Sequence, residues 1–181
     1  MVLLIVGKFS YLPQLSPSRG DGDFHDISWR FPPGFPIGLP VPGYVVNFPA
    51  FDLDKEYQHE FVVENLPDLK QDVGVYLFAT VPWDSFQTDN KKSQLQAEFE
   101  FEVLNSEGQV VAHTKKPLSE LTWSTPPGIN RHDDGYALYS FGESSFQSHK
   151  DERYTLRVSY RPDPTLHARQ GFVYLECGGS I

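Results

Sequence analysis

The chain has 181 residues, a length typical of one domain, and 39% of them are hydrophobic. That is enough apolar material to bury a core, and it excludes a wholly disordered chain. The formal net charge of −9 argues against a nucleic-acid-binding surface, because phosphate contacts need clustered Lys and Arg; it also argues against docking on anionic lipid heads.

The N-terminal segment 1–42 is predicted to be an irregular, proline-rich arm. Eight of the 15 prolines lie within residues 1–50, which are electrically neutral, whereas residues 51–181 hold the whole net charge. In the stretch 31–43, proline and glycine exclude a helix and favour an extended or polyproline II backbone. We expect its apolar side chains to lie against the folded body, residues 43–181. A partner-binding or disordered tail is the alternative.

Two features bear on the compartment. The chain opens with MVLLIV, which resembles part of a signal-peptide core but is shorter than the roughly 7–15 apolar residues of a complete one. The alternative is that this run forms a first edge strand or a disordered tip of the chain. Cys177 is the only cysteine, so we expect a packed free thiol and no intramolecular disulfide. The free thiol permits the cytoplasm, while the apolar start slightly favours a secreted or periplasmic location.

From residue 44 the chain alternates apolar and polar residues with the period of two that indicates β-strands. Prolines fall between about eight such runs, as expected of a residue that cannot donate to a strand ladder. The predicted strands are Tyr44–Phe51, Tyr57–Glu64, Val73–Val81, Gln94–Asn105, Gln109–Thr114, Gly135–Gly142, Arg153–Arg161 and Gln170–Cys177. Among them, Val73–Val81 is apolar at nearly every position, which predicts a central strand covered on both faces. Helical signals are confined to two short turns, Lys116–Trp123 and Ser144–Glu152.

The best-defined unit is a β-hairpin around Asn105–Gly108. The strand before this turn alternates apolar residues with Glu98, Glu100 and Glu102, which predicts one buried and one acidic face. Gly108 is free to take a positive φ angle, which a tight turn requires.

A basic ladder occurs at the same spacing in the strand 153–161, where Arg153, Arg157 and Arg161 alternate with apolar residues. The three glutamates of the hairpin would repel one another unless an opposite charge lay beside them. We therefore predict that these two strands pair, with Glu100 and Arg157 as the contact to test.

Short strands without crossover helices predict an all-β fold, an antiparallel β-sandwich preceded by the irregular arm. Immunoglobulin-like, C2-like and jelly-roll connectivity remain open. The closing stretch, a Tyr-x-Leu-x-Val-x-Tyr strand followed by Gly171–Gly179, resembles the last hairpin of many sandwich domains. This resemblance concerns the fold and implies no function.

The sequence carries no motif for catalysis. The nucleophile patterns GxSxG and SxxK and both phosphate-loop patterns are absent, and no histidines stand in an HxH or HExxH arrangement. His132 lies beside two carboxylates in the segment 131–135, which ordinary turn chemistry explains. We expect neither enzymatic activity nor a cofactor.

Calcium is the one metal that we consider, because end loops of sandwiches often supply carboxylates and a hard cation takes six to eight oxygens. Weak candidate ligands are Asp52 with Asp54 and Asp133 with Asp134. Turn formation explains each pair equally well.

Three tryptophans, Trp29, Trp83 and Trp123, lie in loop-like places and are the candidate binding residues. Tryptophan anchors protein interfaces, and exposed aromatic rings can support sugar rings. The alternative is that each caps the end of the core. We predict a non-catalytic module that recognises a protein partner, with an acidic surface favouring a basic one. A carbohydrate-binding module using these tryptophans, with calcium assistance, is the alternative; neither nucleic acid nor a membrane span is expected.

Overall fold

The computed structural model describes residue 15 and residues 17–27, 42–82, 95–124 and 136–178. Within these ranges the protein is an all-β sandwich of 12 strands in two antiparallel sheets. The only helical element there is a 3-10 turn at Leu118–Glu120, and no described helix has the length and hydrophobicity to span a bilayer. The helical turn predicted at Ser144–Glu152 is wrong, since its first four residues continue a strand.

The two sheets differ in size. Sheet A has five strands in the order β1-β5-β11-β7-β8: β1 Arg19–Gly20, β5 Tyr57–Glu64, β11 Arg153–Arg161, β7 Glu98–Leu104 and β8 Val110–Pro117. Sheet B has seven, with the path β2-β3-β12-β6-β10-β9 and β4 beside β12: β2 Asp23–Asp26, β3 Gly43–Asn47, β12 Gln170–Gly178, β6 Asp72–Pro82, β10 Tyr136–Gln147, β9 Thr122–Ser124 and β4 Phe51–Asp52.

The eight strands of five or more residues pair as one long, rolled hairpin. Its centre is the pair β7·β8, and the pairs β6·β10, β5·β11 and β3·β12 follow outward in nested order. Rolling brings β11 beside β7 and β12 beside β6. Nested antiparallel pairs divided between two sheets form a jelly roll, one of the three connectivities that the sequence left open.

The predicted alternation is confirmed in both strands of the charge ladder. In β7, Phe99, Phe101 and Val103 are buried while the intervening glutamates are half-buried on the other face. In β11 the buried and outward residues alternate in the same way. One face of each sheet therefore contributes to a single continuous core, because apolar side chains two residues apart point to the same side.

The predicted hairpin at the centre of the roll is confirmed. Oδ1 of Asn105 accepts hydrogen bonds from the backbone N–H groups of Glu107 at 3.1 Å and Gln109 at 2.8 Å. Gly108 has a φ of 77°, in the left-handed region that glycine adopts without strain. These local contacts explain why the sequence alone identified this turn.

Three other predictions need correction. The last two strands form no hairpin with each other, because β11 lies in sheet A and β12 in sheet B. The strand predicted at Tyr44–Phe51 is two strands, β3 and β4, separated at residues 48–50, which include Pro49. Within the segment predicted to be irregular, β1 and β2 join the sheets. The stretch 31–41 lies outside the described residues, and the domain boundary stays a prediction.

Candidate functional site

The outer face of sheet A carries the charge ladder. Arg157 lies between two strands, and its guanidinium donates to Glu60 Oε1 at 3.0 Å from Nε and to Glu102 Oε2 at 3.1 Å from Nη1. Hydrogen bonding to Glu102 and then to Glu60 raises the pKa of Arg157, so the side chain stays charged. The predicted pairing of β7 with β11 is confirmed, but the partner of Arg157 is Glu102 rather than Glu100.

Glu100 is held from the opposite side, by β8. Nζ of Lys115 donates to its Oε2 at 2.8 Å, and Nε2 of His113 lies 3.3 Å from its Oε1. The hydrogen bond from Lys115, followed by that from His113, lowers the pKa of Glu100. This carboxylate is therefore ionised at neutral pH and remains so in moderately acidic solution.

A groove crosses this face at Ser159, which has the shortest outward side chain of β11. Ser159 is in register with Gln58 on one side and Glu100 on the other. The groove has a volume of about 490 Å³, and it is lined by Gln58, His59, Glu60, Glu100, Glu102, Arg157, Val158 and Ser159. The lining holds three carboxylates and one guanidinium, and negative charge stays in excess when Lys115, which pairs with Glu100 from outside the lining, is counted as well. We refer to it as the acidic groove.

The outer face of sheet B is aromatic, a feature that the sequence analysis did not single out. The ring of Tyr174 stacks against Tyr76, with centroids 5.0 Å apart, and against Phe78, at 4.7 Å. Phe172 is opposite Phe78 in the register, with centroids 5.1 Å apart. We call these four residues the aromatic face. Aromatic residues at alternate positions of two strands, 76 and 78 and then 172 and 174, were the available signal.

Two rings of the aromatic face are held in place by neighbouring residues. Tyr76 packs over two glycines, and Tyr174 is hydrogen bonded to a serine hydroxyl. A Cβ atom on Gly142 would overlap Cδ1 of the Tyr76 ring, and one on Gly74 would overlap its Cε2. The ring of Tyr76 thus occupies space that only glycine leaves open. Tyr174 is 4% exposed, and its hydroxyl is hydrogen bonded to Oγ of Ser140 at 2.5 Å. Tyr76, Phe78 and Phe172 are half-buried and keep part of their ring surface accessible.

A polar depression adjoins the aromatic face along the same strands. It has a volume of about 430 Å³ and is lined by Asp52, Thr80, Arg169 and Gln170. Thr80 is two residues from Phe78 on β6, and Gln170 is two residues from Phe172 on β12, so each pair shares the outer side of the sheet. The guanidinium carbon of Arg169 lies 3.8 Å from the centroid of the Tyr136 ring. This cation–π contact orients the guanidinium at the rim.

The structure places one of the three candidate tryptophans. Trp123 is half-buried, packs against the core and meets Tyr139 edge-on, with ring centroids 5.3 Å apart. Its partner in the register, Phe141, is a core residue, so Trp123 points inward. This geometry is that of a core cap. Trp29 and Trp83 lie outside the described residues.

The structure describes one of the two pairs of calcium candidates, Asp52 with Asp54. Asp52 accepts the backbone N–H of Asp54 at 3.0 Å and pairs with Nζ of Lys55 at 2.8 Å, the arrangement of a turn. The side-chain hydrogen bond from Lys55, followed by the backbone bond from Asp54, lowers the pKa of Asp52. Among the residues with described positions, no group of three acidic, histidine or cysteine side chains is arranged to hold a metal. Asp133 and Asp134 lie outside that part of the chain.

The sequence matches no protein-family model, and no curated protein matches it. Neither comparison assigns the chain to a family.

Proposed function

We propose that the protein is a non-catalytic binding module whose acidic groove receives a basic segment of a protein partner. The observation that carries this proposal is the composition of the groove lining, in which three carboxylates face a single guanidinium. The absence of nucleophile and phosphate-loop motifs from the sequence supports a binding role rather than catalysis.

The charge distribution favours a cationic ligand at this place. Nε and Nη1 of Arg157 already donate to glutamates, and Glu60 and Glu102 each retain oxygen lone pairs that can accept from a further donor. A lysine or arginine side chain entering over Ser159 would meet carboxylates from two strands without displacing a core residue. The net charge of −9 also attracts a basic partner from a distance, which raises the association rate more than the affinity.

The experiment uses a fluorescent peptide of alternating Lys and Gly, with a Glu-Gly peptide of equal length as the ligand control. We expect the basic peptide alone to bind, and its binding to weaken as salt shortens the screening length to about 8 Å. The double variant Glu60→Gln/Glu102→Gln is expected to lower the affinity about tenfold. Fluorescence anisotropy measures both effects.

The matched control is Glu107→Gln/Glu120→Gln, which removes the same net charge from two exposed positions outside the groove. We expect it to bind the basic peptide nearly as well as the unmodified protein does. If both double variants lose affinity equally, the attraction comes from net charge alone and the groove has no specific role. If the unmodified protein does not bind, the proposal also fails.

The alternative of a carbohydrate-binding module based on tryptophan is weakened at Trp123, whose ring packs on the core. Calcium assistance through Asp52 is weakened in the same way, because a lysine already neutralises this carboxylate. Recognition of a sugar remains a proposal for a different surface, the aromatic face of sheet B.

A further inference from the structure

The aromatic face and the polar depression form one continuous surface. Phe78 and Phe172 face each other across neighbouring strands, and Thr80 and Gln170 follow them on the same side of those strands. Alternate residues of a strand are about 6.8 Å apart, a distance comparable with the size of a sugar ring. One ligand of that size can therefore contact the rings and the polar groups together.

The polar groups of the depression are both donors and acceptors. The guanidinium of Arg169 offers only donors, the carboxylate of Asp52 only acceptors, and Gln170 and Thr80 offer both. Asp52 and Arg169 balance each other within the lining, and Lys55 lies beside it, paired with Asp52 at 2.8 Å. This mixture of donors and acceptors suits a ligand with many hydroxyl groups, which both donate and accept, better than a phosphate or carboxylate, which only accepts, or a basic side chain, which only donates.

We propose that this surface is a carbohydrate-binding site, in which a neutral sugar packs its C–H face on Phe78 and Phe172 while Asp52, Arg169 and Gln170 hydrogen bond its hydroxyls. Aromatic rings beside a few placed polar groups are the usual composition of a small-ligand site. The site is separate from the acidic groove, since it lies on the outer face of the other sheet.

Several contacts hold the site in a fixed geometry before a ligand arrives. The ring of Tyr136 orients Arg169, and the backbone N–H of Arg169 donates to the carbonyl oxygen of Thr80 at 2.9 Å. The Tyr174 ring, anchored to Ser140, supports Phe78 from the side. A preorganised site loses less conformational entropy on binding than a mobile one.

Native affinity electrophoresis tests the proposal. The probes are soluble β-glucan, xylan, mannan and galactan, each cast into a gel, with a gel lacking polysaccharide as the reference. We expect at least one of these neutral polysaccharides to retard the protein. Phe172→Ala removes a stacking ring and is expected to weaken that retardation about tenfold.

A second variant covers the case in which Phe172→Ala fails to fold. Arg169→Ala/Gln170→Ala changes two exposed side chains, and we expect it to fold normally and to lose the retardation. Val110→Ala/Val111→Ala trims exposed apolar side chains on β8, 53% and 38% accessible. We expect this control to be retarded as strongly as the unmodified protein is.

The outcomes separate this proposal from the proposed function. Glu60→Gln/Glu102→Gln should leave polysaccharide binding intact, because both glutamates lie on sheet A. No retardation by any of the four polysaccharides would overturn the carbohydrate site, as would retardation that survives Arg169→Ala/Gln170→Ala. Binding of the Lys-Gly peptide that is lost in Arg169→Ala/Gln170→Ala alone would overturn both proposals and assign peptide recognition to sheet B.

Discussion

Asp163 is the single buried acidic residue among those that the structure describes. Its Oδ1 accepts from the backbone N–H of Thr165 at 2.8 Å and from the hydroxyl of that residue at 2.7 Å, while Oδ2 accepts from the N–H of Gln96 at 3.0 Å. These bonds tie the loop after β11 to the segment before β7. Burial alone would raise the pKa of Asp163, but the hydrogen bonds from Thr165 and then Gln96 outweigh it and lower the pKa.

We predict that Asp163→Asn lowers the free energy of unfolding by about 1–3 kcal/mol at pH 7. Asparagine keeps one oxygen for Thr165 but turns a donor toward the N–H of Gln96 or leaves that group unpaired. Urea unfolding at pH 7 measures the loss. If the free energy of unfolding of Asp163→Asn at pH 7 equals that of the unmodified protein within error, the prediction is wrong and water replaces these hydrogen bonds without cost.

The pH dependence of this loss follows from the sign of the shift. Because the folded-state pKa of Asp163 lies below the unfolded value of about 3.8, the carboxylate stabilises the fold above that pH. Its contribution disappears as the pH falls through the folded-state pKa. The difference between the unmodified protein and Asp163→Asn should therefore shrink from pH 5 downward. The control is Asp54→Asn, at an exposed position. We expect this substitution to change the free energy of unfolding little across the same pH range.

Among the strands, the ladder between β7 and β11 shows what alternation alone can predict. Glutamates and arginines at alternate positions identified the two strands as partners, because side chains of one parity share a face. The register was beyond that information. Arg157 is opposite Glu102, and Ser159 is opposite Glu100. The predicted contact between Glu100 and Arg157 was therefore displaced by two residues along β7.

We predict that charge reversal of the true pair, Glu102→Arg with Arg157→Glu, restores part of the stability that each single reversal loses; Glu60, 3.0 Å from Nε of Arg157, limits the recovery. The guanidinium and carboxylate are 3.1 Å apart, and either single reversal sets like charges at that distance. A double-mutant cycle by urea unfolding measures the coupling, which should decrease with added salt. The same cycle on Glu100 and Arg157 is the control and should show weaker coupling. Equal coupling in both cycles would contradict the register.

Pairing between distant strands was less accessible to sequence analysis than the turn at Asn105–Gly108. That turn is encoded by adjacent residues, whereas β11 and β12 are adjacent in the chain but lie in different sheets. The aromatic face was missed for another reason. In β6 both parities are apolar, a pattern that predicts a strand covered on both faces, whereas its outward residues Tyr76 and Phe78 are only half-buried.

At the scale of the whole molecule, the nested pairing means that the last strand, β12, forms the outermost pair of the roll. β12 pairs β3 on one side and β6 on the other, and Cys177 is opposite Tyr44 and Val73. The chain must therefore bring residues 43–47 to residues 174–178 before the outermost pair forms. Such long-range closure is costly in entropy and is expected to make folding slow.

Cys177 is a natural probe of that closure. The thiol is fully buried, and burial, as the largest influence, raises its pKa to about 11. Only the thiolate reacts with disulfide reagents, so both burial and the high pKa protect it. Because β12 is held by ladders on both sides, exposing Cys177 requires that both ladders break.

We predict that Cys177 resists a thiol reagent at pH 8 in the native protein and reacts at once in urea. The native labelling rate, measured when closing outpaces labelling, gives the free energy of opening, which should equal that of global unfolding. Val111→Cys, at an exposed position on β8, is the control for reagent access and should react immediately. An opening free energy well below the global value would mean that β12 detaches alone and that the roll closes last and weakly.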